Sequence, residues 1–422
     1  MIGGQYNKHK ETIHNFCWRS LQMFGRYGVI AIIFFAAAKF LTPEDFGLFN
    51  YLRTVFFLLM IFCDFGLSYA VSKFVTEYKV CRPEKLNSIA FTIAIFSFGI
   101  AAIISVVVTI FGKMVFRGNY LYILYMLPYL FLMPLTDILD GMYRGLKDFK
   151  KPALISSIVG LVSIGISLFL ISRYRLVGAI WSLNIMYLLL LLFYCGFQRN
   201  FKFEFDKSVL VEVLKYALVL GVGVMGGFLY SRASILILKH FGYVVEIGYY
   251  GLIDTIFQIL FLPFGILGQV IAPNTTAYIV VKNVTEIKNK MEKYITLCAI
   301  TGVAMSVLLY FGIPVIIKNF LPRYNTADFL LIMNILLISL PFYIWGAILN
   351  QGFVAPAGFA RISVITTLIC GILNVVFAWA FINFFGFLAV FWVLLGIQSA
   401  NVLIITVYFY IKVGSVKLII EQ

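Results

Sequence analysis

Histidine, cysteine and acidic side chains are scarce in this sequence. Three histidines, His9, His14 and His240, are spread over 422 residues and do not cluster. Six cysteines, Cys17, Cys63, Cys81, Cys195, Cys298 and Cys370, stand without C-x-x-C pairing or metal-ligand spacing. No metal centre and no other cofactor is therefore expected. Nor is a disulfide framework, because most of these cysteines fall in apolar runs or in loops expected on the cytoplasmic side. Charged residues are only 12% of the chain, about half the usual share of a soluble domain, which excludes a soluble globular protein. The glycine-rich run Gly221–Gly227 lacks the Lys-Ser/Thr of a phosphate loop and reads as close packing or flexibility. Long loops are missing, so no separate catalytic domain is expected. A cleavable signal pattern is missing too. Residues 1–19 are polar and basic, and the apolar stretch after them has no small-residue cleavage site, so it is expected to be a first membrane span.

Apolar residues fill the space left by these absences, at 62% of the chain. The fold class expected is all-α: a polytopic membrane protein with about twelve transmembrane helices. The first six spans are expected at Ser20–Phe40, Gly47–Ser72, Leu86–Phe111, Tyr120–Arg144, Pro152–Ser172 and Leu176–Phe197. A polar connector from Gln198 to Lys207 follows. The second six are expected at Val209–Leu238, Gly248–Val281, Met291–Ile317, Ala327–Gln351, Ile362–Phe385 and Gly386–Ile411. Several exceed the roughly 20 residues that a straight spanning helix needs, which predicts tilt or protrusion. The prolines Pro128, Pro263, Pro273, Pro314 and Pro341 interrupt spans and predict kinks.

The formal charge of +15 would suggest nucleic acid in a soluble protein. In a membrane protein its placement matters more. With the N-terminus placed in the cytoplasm, 22 of the 33 Lys and Arg fall on the inner side and seven on the outer. That asymmetry predicts both termini inside, by the rule that cytoplasmic loops are enriched in positive charge. No nucleic-acid partner is expected.

One stretch, Leu41–Lys79, organises the rest. It opens with an acidic turn, Pro43-Glu44-Asp45, and runs apolar for about 25 residues, with Arg53 and Asp64 inside. A weaker copy follows some 200 residues on. Asp45-Phe46-Gly47 matches Glu246-Ile247-Gly248, each after a lysine, Lys39 or Lys239. Phe65-Gly66 matches Phe264-Gly265, Leu127-Pro128 matches Leu340-Pro341, and Phe149-Lys150-Lys151 matches Phe359-Ala360-Arg361. Six spans plus six gives two lobes of the same orientation, residues 1–207 and 208–422, with the substrate site between them.

The start of the second span, Leu41-Thr42-Pro43-Glu44-Asp45-Phe46-Gly47-Leu48-Phe49, resembles the corresponding L-G/T-P-E-x-F/Y-G-x-F/Y segment of bacterial O-antigen and polysaccharide flippases. These form the polysaccharide-transport branch of the multidrug/oligosaccharidyl-lipid/polysaccharide exporter superfamily. Asp64-Phe65-Gly66-Leu67-Ser68 is similar to that family's pattern at the end of the same span. Length and the six-plus-six plan extend the resemblance over the whole chain. It implies a V-shaped pair of six-helix lobes, alternating access, and carriage of polyprenyl-diphosphate-linked oligosaccharide, such as the repeat of O-antigen in lipopolysaccharide. It further implies a multi-pass place in the bacterial cytoplasmic (inner) membrane. The implied partners are the lipid-linked oligosaccharide, membrane lipids, and polysaccharide polymerase and chain-length machinery.

Charged residues inside spans are expensive in lipid and mark functional candidates. Three arginines qualify, Arg26, Arg53 and Arg232. A guanidinium binds phosphate oxygens in pairs and stays charged, which suits a diphosphate in a wet cationic cavity. The alternative is snorkelling to the headgroups. Arg53 is six residues after Gly47 and Asp254 is six after Gly248, so the repeat predicts opposite charges at one height. Arg53 and Asp254 are expected to pair at an outer gate, with Arg232 as the competing partner of Asp254. Asp137, Asp140 and Arg144 recur at i, i+3 and i+7 on one helical face. They read either as a solvated helix end or as an inner gate and ion-coupling group. Asp64 is the deeper carboxylate and the better candidate for coupling to a H+ or Na+ gradient; pairing with Lys73 or with a helix end is its other reading.

The function expected is translocation of lipid-linked oligosaccharide by alternating access, without enzymatic chemistry. A multidrug or cation antiporter of the same superfamily is the first alternative, and three intramembrane arginines argue against it. A membrane polymerase or glycosyltransferase is the second, and the short outer loops disfavour it.

Overall fold

The computed structural model describes residues 14, 17–197, 204–281 and 283–414. His9, Lys8, Lys10, Lys282 and Lys417, and the part of the central connector that holds Arg199 and Lys202, lie outside the described residues. Among the described residues there is no strand, and helix follows helix: α1 Cys17–Phe40, α2 Pro43–Asp64, α3 Leu67–Cys81, α4 Ile89–Phe116, α5 Tyr120–Leu146, α6 Lys150–Phe197 and α7 Lys207–Ser231. Then come α8 Ala233–His240, α9 Val244–Val280, α10 Val284–Phe320, α11 Ala327–Ile338, α12 Leu340–Ile348, α13 Ala360–Phe385 and α14 Phe387–Gly414.

Among the described residues nine helical runs are long and apolar enough to cross a membrane, or ten counting the pair of runs Ala327–Ile338 and Leu340–Val354, bent by 45°, as one span. Twelve were expected. Two of the nine runs are much longer than one crossing. Ile89–Leu146 has 58 residues, which as one straight helix would be roughly 87 Å, against a hydrocarbon core of about 30 Å. Its helicity is interrupted at Arg117–Asn119, and the Tyr120 hydroxyl donates back to the Thr109 carbonyl. The run beginning at Lys150 is broken at Arg175, where φ is +52°.

The acidic turn that opens the organising stretch is a helix start. Thr42 caps α2: its Oγ1 accepts the Asp45 N–H at 3.1 Å, and its hydroxyl donates to the Asp45 carboxylate at 3.0 Å. Pro43 takes the first helical position, where a missing N–H costs nothing, and Glu44 and Asp45 face the positive end of the helix. The second span then breaks at Phe65 and Gly66, with φ of +36° and +82°, which separates α2 from α3.

The chain divides into two compact units: Met1–Leu41 with Leu48–Val224, and Thr42–Gly47 with Met225–Gln422. The division therefore runs through α2 and α7, where the sequence places it at 207/208. The first unit is cored by residues such as Val71, Tyr78, Ile93, Ile138 and Val213. The second is cored by Met291, Ile348, Phe353 and Phe409 among others. Outward faces are apolar as well: Ile103 is 67% exposed, Leu161 73%, Leu308 71% and Phe384 79%. Such a surface is prohibitive in water and expected in lipid. The protein is a multi-pass membrane protein.

Close packing repeats between the units. In the first, a Cβ on Gly160 would meet the Gly25 carbonyl oxygen and the Val29 side chain. In the second, a Cβ on Gly371 would meet the Gly226 carbonyl oxygen and the Leu229 side chain. The α1–α6 crossing is thus rebuilt by α7 and α13 with the same residue type at the contact. Gly47 and Gly248, the glycines of the matched motifs, touch within the second unit. A Cβ on Gly47 would strike the Val244 carbonyl, and one on Gly248 the Pro43 carbonyl. Each glycine faces the residue four before the other, as a local twofold requires.

Candidate functional site

The polar interior of the first unit begins on α1. Arg19, Gln22 and Arg26 recur at i, i+3 and i+7 and therefore share one face. Asp137, Asp140 and Arg144 carry the same spacing on α5. The two faces meet with the helices running in opposite directions. Arg19 pairs with Asp140 at 3.1 Å, Gln22 donates to Asp140 and to the Tyr194 hydroxyl at 3.1 Å, and Arg26 pairs with Asp137. Arg144 closes the set on Asp140 at 3.2 Å. Asp140 is 5% exposed and is shared by two guanidiniums and an amide. That is how a buried carboxylate stays ionised.

Small residues make this closeness possible. Gly141 and Gly145, four apart on α5, abut the carbonyls of Ser68 and Ser72 on α3, the close approach that small-xxx-small spacing permits. Arg144 consequently reaches the Ser68 carbonyl at 3.4 Å and lies over the Tyr69 ring. Asp64 accepts from the Ser68 N–H at 3.0 Å and from its hydroxyl at 3.1 Å. Its carboxylate thus serves the first turn of α3, so the helix-end reading holds for its contacts. Lys73 instead lies over the rings of Phe74 and Tyr216.

Arg26 is held differently from the others. It lies in a widened i→i+5 turn, Phe24–Gly28, and such turns concentrate at functional sites. The residue is 6% exposed. It donates to Asp137 and to the Tyr187 hydroxyl and lies over the Tyr187 ring at 5.1 Å. Its Nε–H has no hydrogen-bond partner among the described residues. Tyr187 stands edge-on to Tyr129 at 5.2 Å, and Tyr129 is within electrostatic reach of both Arg26 and Arg53. Arg53 lies over the Phe34 ring at 4.1 Å. Of the expected residues, the structure therefore brings Arg26, Asp137, Asp140 and Arg144 into one network, with Arg53 and Asp64 beside it.

Arg232 and Asp254 belong to the second unit and pair with each other at 2.9 Å; Gln258 adds a hydrogen bond to Asp254 at 2.7 Å. The partner given to Asp254 is thus the competing one, and Arg53 lies in the first unit. Arg26 and Arg232 are held by carboxylates and do not reach out as snorkelling side chains.

Sequence reasoning missed Arg19, Gln22, Tyr129, Tyr187 and Tyr194. The signal for the first two was available, since their spacing from Arg26 matches that of the acidic face on α5. At the end of the spans, Arg82 and Lys85 flank Glu212 at 3.0 and 3.8 Å. The hydrogen bond to Glu212 holds the Arg82 guanidinium above its ordinary pKa. Asp206 caps α7, accepting from the N–H groups of Ser208 and Val209 and from the Ser208 hydroxyl, and the Ser208 hydroxyl holds its carboxyl below the usual value.

Two comparisons with known proteins bear on this arrangement; no curated protein matches the chain. Among solved structures, it is similar to an inward-facing multidrug resistance MATE family transporter of the MOP superfamily. The TM-score is 0.75 at 15% identity, over 94% of this chain and 95% of that one. It is similar to an outward-facing transporter of the same description at TM-score 0.68 and 16% identity, over 96% of each chain. A MOP superfamily transporter from Pyrococcus furiosus, described as having a binding pocket of reverse polarity, matches at TM-score 0.61 and 16% identity over 96% of each chain. These likenesses give the fold: two helical lobes of the MATE type. Residues 13–278 match the family described as polysaccharide biosynthesis protein, and with that match over more than half its length the chain belongs to the polysaccharide biosynthesis protein family, on a MOP superfamily transporter fold.

Proposed function

We propose that this protein is a carrier, without catalytic activity, that moves a polyprenyl-diphosphate-linked oligosaccharide across the bacterial cytoplasmic membrane. The observation that carries the reading is Arg26, a buried guanidinium whose Nε–H lacks a partner. A diphosphate presents oxygens in pairs, which match a guanidinium fork. Around Arg26 the balance of charge is positive: Arg19, Arg26, Arg53 and Arg144 against Asp64, Asp137 and Asp140. An anionic headgroup entering here competes with Asp137 for Arg26. Arg53 is a further proposed cation for the headgroup in the first unit, and Arg232 is the proposed cation of the second unit.

Asp137 and Asp64 are close enough to repel, so a cation arriving at this pair relieves both. Asp64, with Asp137 beside it, is the proposed site at which uptake of H+ or Na+ couples an ion gradient to headgroup binding. Polymerase and chain-length machinery are the proposed consumers of the product. A multidrug antiporter, the reading favoured by the fold neighbours, requires an acidic cavity for organic cations, and the excess of guanidiniums disfavours it.

The test is translocation in proteoliposomes of a polyprenyl-diphosphate-linked oligosaccharide with both termini oriented by protease accessibility. Arg26→Gln, Arg53→Gln and Arg232→Gln together are expected to abolish it. Wild-type rates in the triple variant, or transport of lipophilic cations in its place, overturn the proposal.

A further inference from the structure

The second unit contains an uncharged cavity, part apolar and part amide-lined, that the charges above do not use. Its volume is about 310 Å³, at the lower end of the range for small-molecule sites, roughly 300–1,000 Å³. Phe261, Tyr343, Asn350, Gln351, Gln398 and Asn401 line it, and no charged side chain does. A widened i→i+5 turn, Leu349–Val354, carries Asn350 and Gln351. Among the described residues the other turn of this kind is the one that carries Arg26.

Several lining groups are already engaged. Asn350 accepts from the Ser363 hydroxyl at 2.7 Å and donates to the Gly346 carbonyl at 3.1 Å. Gln351 accepts from Gln269 at 3.0 Å. Gln398 and Asn401, on α14, are not so provided for. Gln398 is 2% exposed and Asn401 5%, and Nε2 and Oε1 of Gln398 and Oδ1 of Asn401 have no hydrogen-bond partner in good geometry among the described residues; the Gln398 amide sits within weaker reach of the Tyr343 hydroxyl, and Nδ2 of Asn401 donates to the Thr367 hydroxyl at 3.4 Å. Leaving such groups buried is costly. Their chemistry is selective. A cation site requires acceptors only and an anion site donors only. One amide N–H₂ beside two amide oxygens complements groups that both donate and accept, which are hydroxyls. Beside them, Phe261 and Tyr343 lie stacked, ring centroids 4.9 Å apart and 13° from parallel. They supply a flat apolar surface for the C–H face of a pyranose.

We infer that this cavity is a glycan subsite, in which Gln398 and Asn401 bind the hydroxyls of one neutral sugar ring seated against Phe261 and Tyr343. The inference rests on the carrier reading and assigns the uncharged part of its substrate. Arg232 and Asp254 lie within electrostatic reach of Tyr343, so the sugar seat adjoins a guanidinium. The diphosphate and the sugar are thus recognised by different chemistry.

The experiment is equilibrium binding to the full-length protein in lipid nanodiscs. The probes are bare polyprenyl diphosphate and polyprenyl diphosphates carrying a single glucose, galactose, N-acetylglucosamine or N-acetylgalactosamine. At least one glycosylated probe is expected to bind about tenfold tighter than the bare lipid, the scale of one or two well-made hydrogen bonds. Gln398→Met and Asn401→Leu are each expected to reduce that advantage to about twofold or less while the bare lipid binds as before. The subsite is refuted if every sugar binds no tighter than the bare lipid, or if both variants keep the advantage. Failure of the bare lipid itself to bind overturns the carrier reading instead.

Discussion

In the first unit the polar groups inside the helices are mostly charged and mutually paired; in the second they are mostly amides and phenols around a cavity. The repeat sharpens this contrast. Aligning Leu127-Pro128 with Leu340-Pro341 sets the Asp137 region of α5 against Asn350-Gln351. The same place in the two halves thus carries a carboxylate that holds Arg26 and a pair of amides that line a cavity. Both have a widened turn nearby, on α1 in one and after α12 in the other. Duplicated scaffolds diverge most cheaply at positions facing the interior space, because the glycine crossings that hold the helices together cannot change without a clash. Packing was retained and polarity was reassigned.

The largest effect should come from Asp140. Asp140→Leu leaves the half-buried Arg19 and Arg144 without their carboxylate, and a loss of about 3 kcal/mol, the low end for breaking a buried pair, is expected, measured by unfolding in detergent. A small effect would mean that the charges of the first unit are as dispensable as the amides of the second, and the contrast would collapse. The glycine crossing comes next. Gly248→Ala should cost about 1–3 kcal/mol through overpacking, with Gly47→Ala similar and the double variant less than additive, because both clashes lie at one contact. Additive losses would separate the two motifs and remove the local twofold.

Arg26→Lys keeps the charge and removes the fork. About a tenfold fall in affinity for the diphosphate-linked lipid is expected, with little change in the contribution of the sugar. A matching fall in the sugar contribution would merge the two sites into one. The smallest effect concerns Asp206, outside the spans. Asp206→Ala should cost about 1 kcal/mol through loss of the cap. Because its folded pKa is depressed, the stabilisation is complete above the unfolded value of about 3.9 and is lost as pH falls through the folded one. Unfolding midpoints of wild type and Asp206→Ala should therefore converge on acidification.

Much of the scaffold was legible in the residues. Apolar runs marked the spans, and Pro43-Glu44-Asp45 was visible as an acidic turn before the second span, although it is the capped helix start itself, because a cap, a permissive first residue and negative charge suit the first turn. The shared face of Asp137, Asp140 and Arg144 followed from helical spacing. Other parts were not legible. Arg19 was counted only as an inner charge, since the end of α1 gave no measure of depth. Asp64 looked unpartnered because its partner, Ser68, becomes one only when Phe65 and Gly66 break the helix. The cavity residues were missed for a different reason. Asn, Gln and Tyr are unexceptional singly, and α12 and α14 are brought together only by folding.

The sequence by itself determined a helical membrane protein with a doubled motif and arginines in its spans. These follow from composition and from periods of a few residues, which act along one helix. The tertiary structure decided the partners. Asp254 goes to Arg232, Asp140 is shared by Arg19 and Arg144, and Gln398 is buried against the Tyr343 of a stacked pair of rings. In lipid a polar side chain must find its partner within the protein, and which one it meets depends on how far each helix is turned about its own axis. A single turn of i→i+5 geometry changes that rotation, and no residue announces it locally.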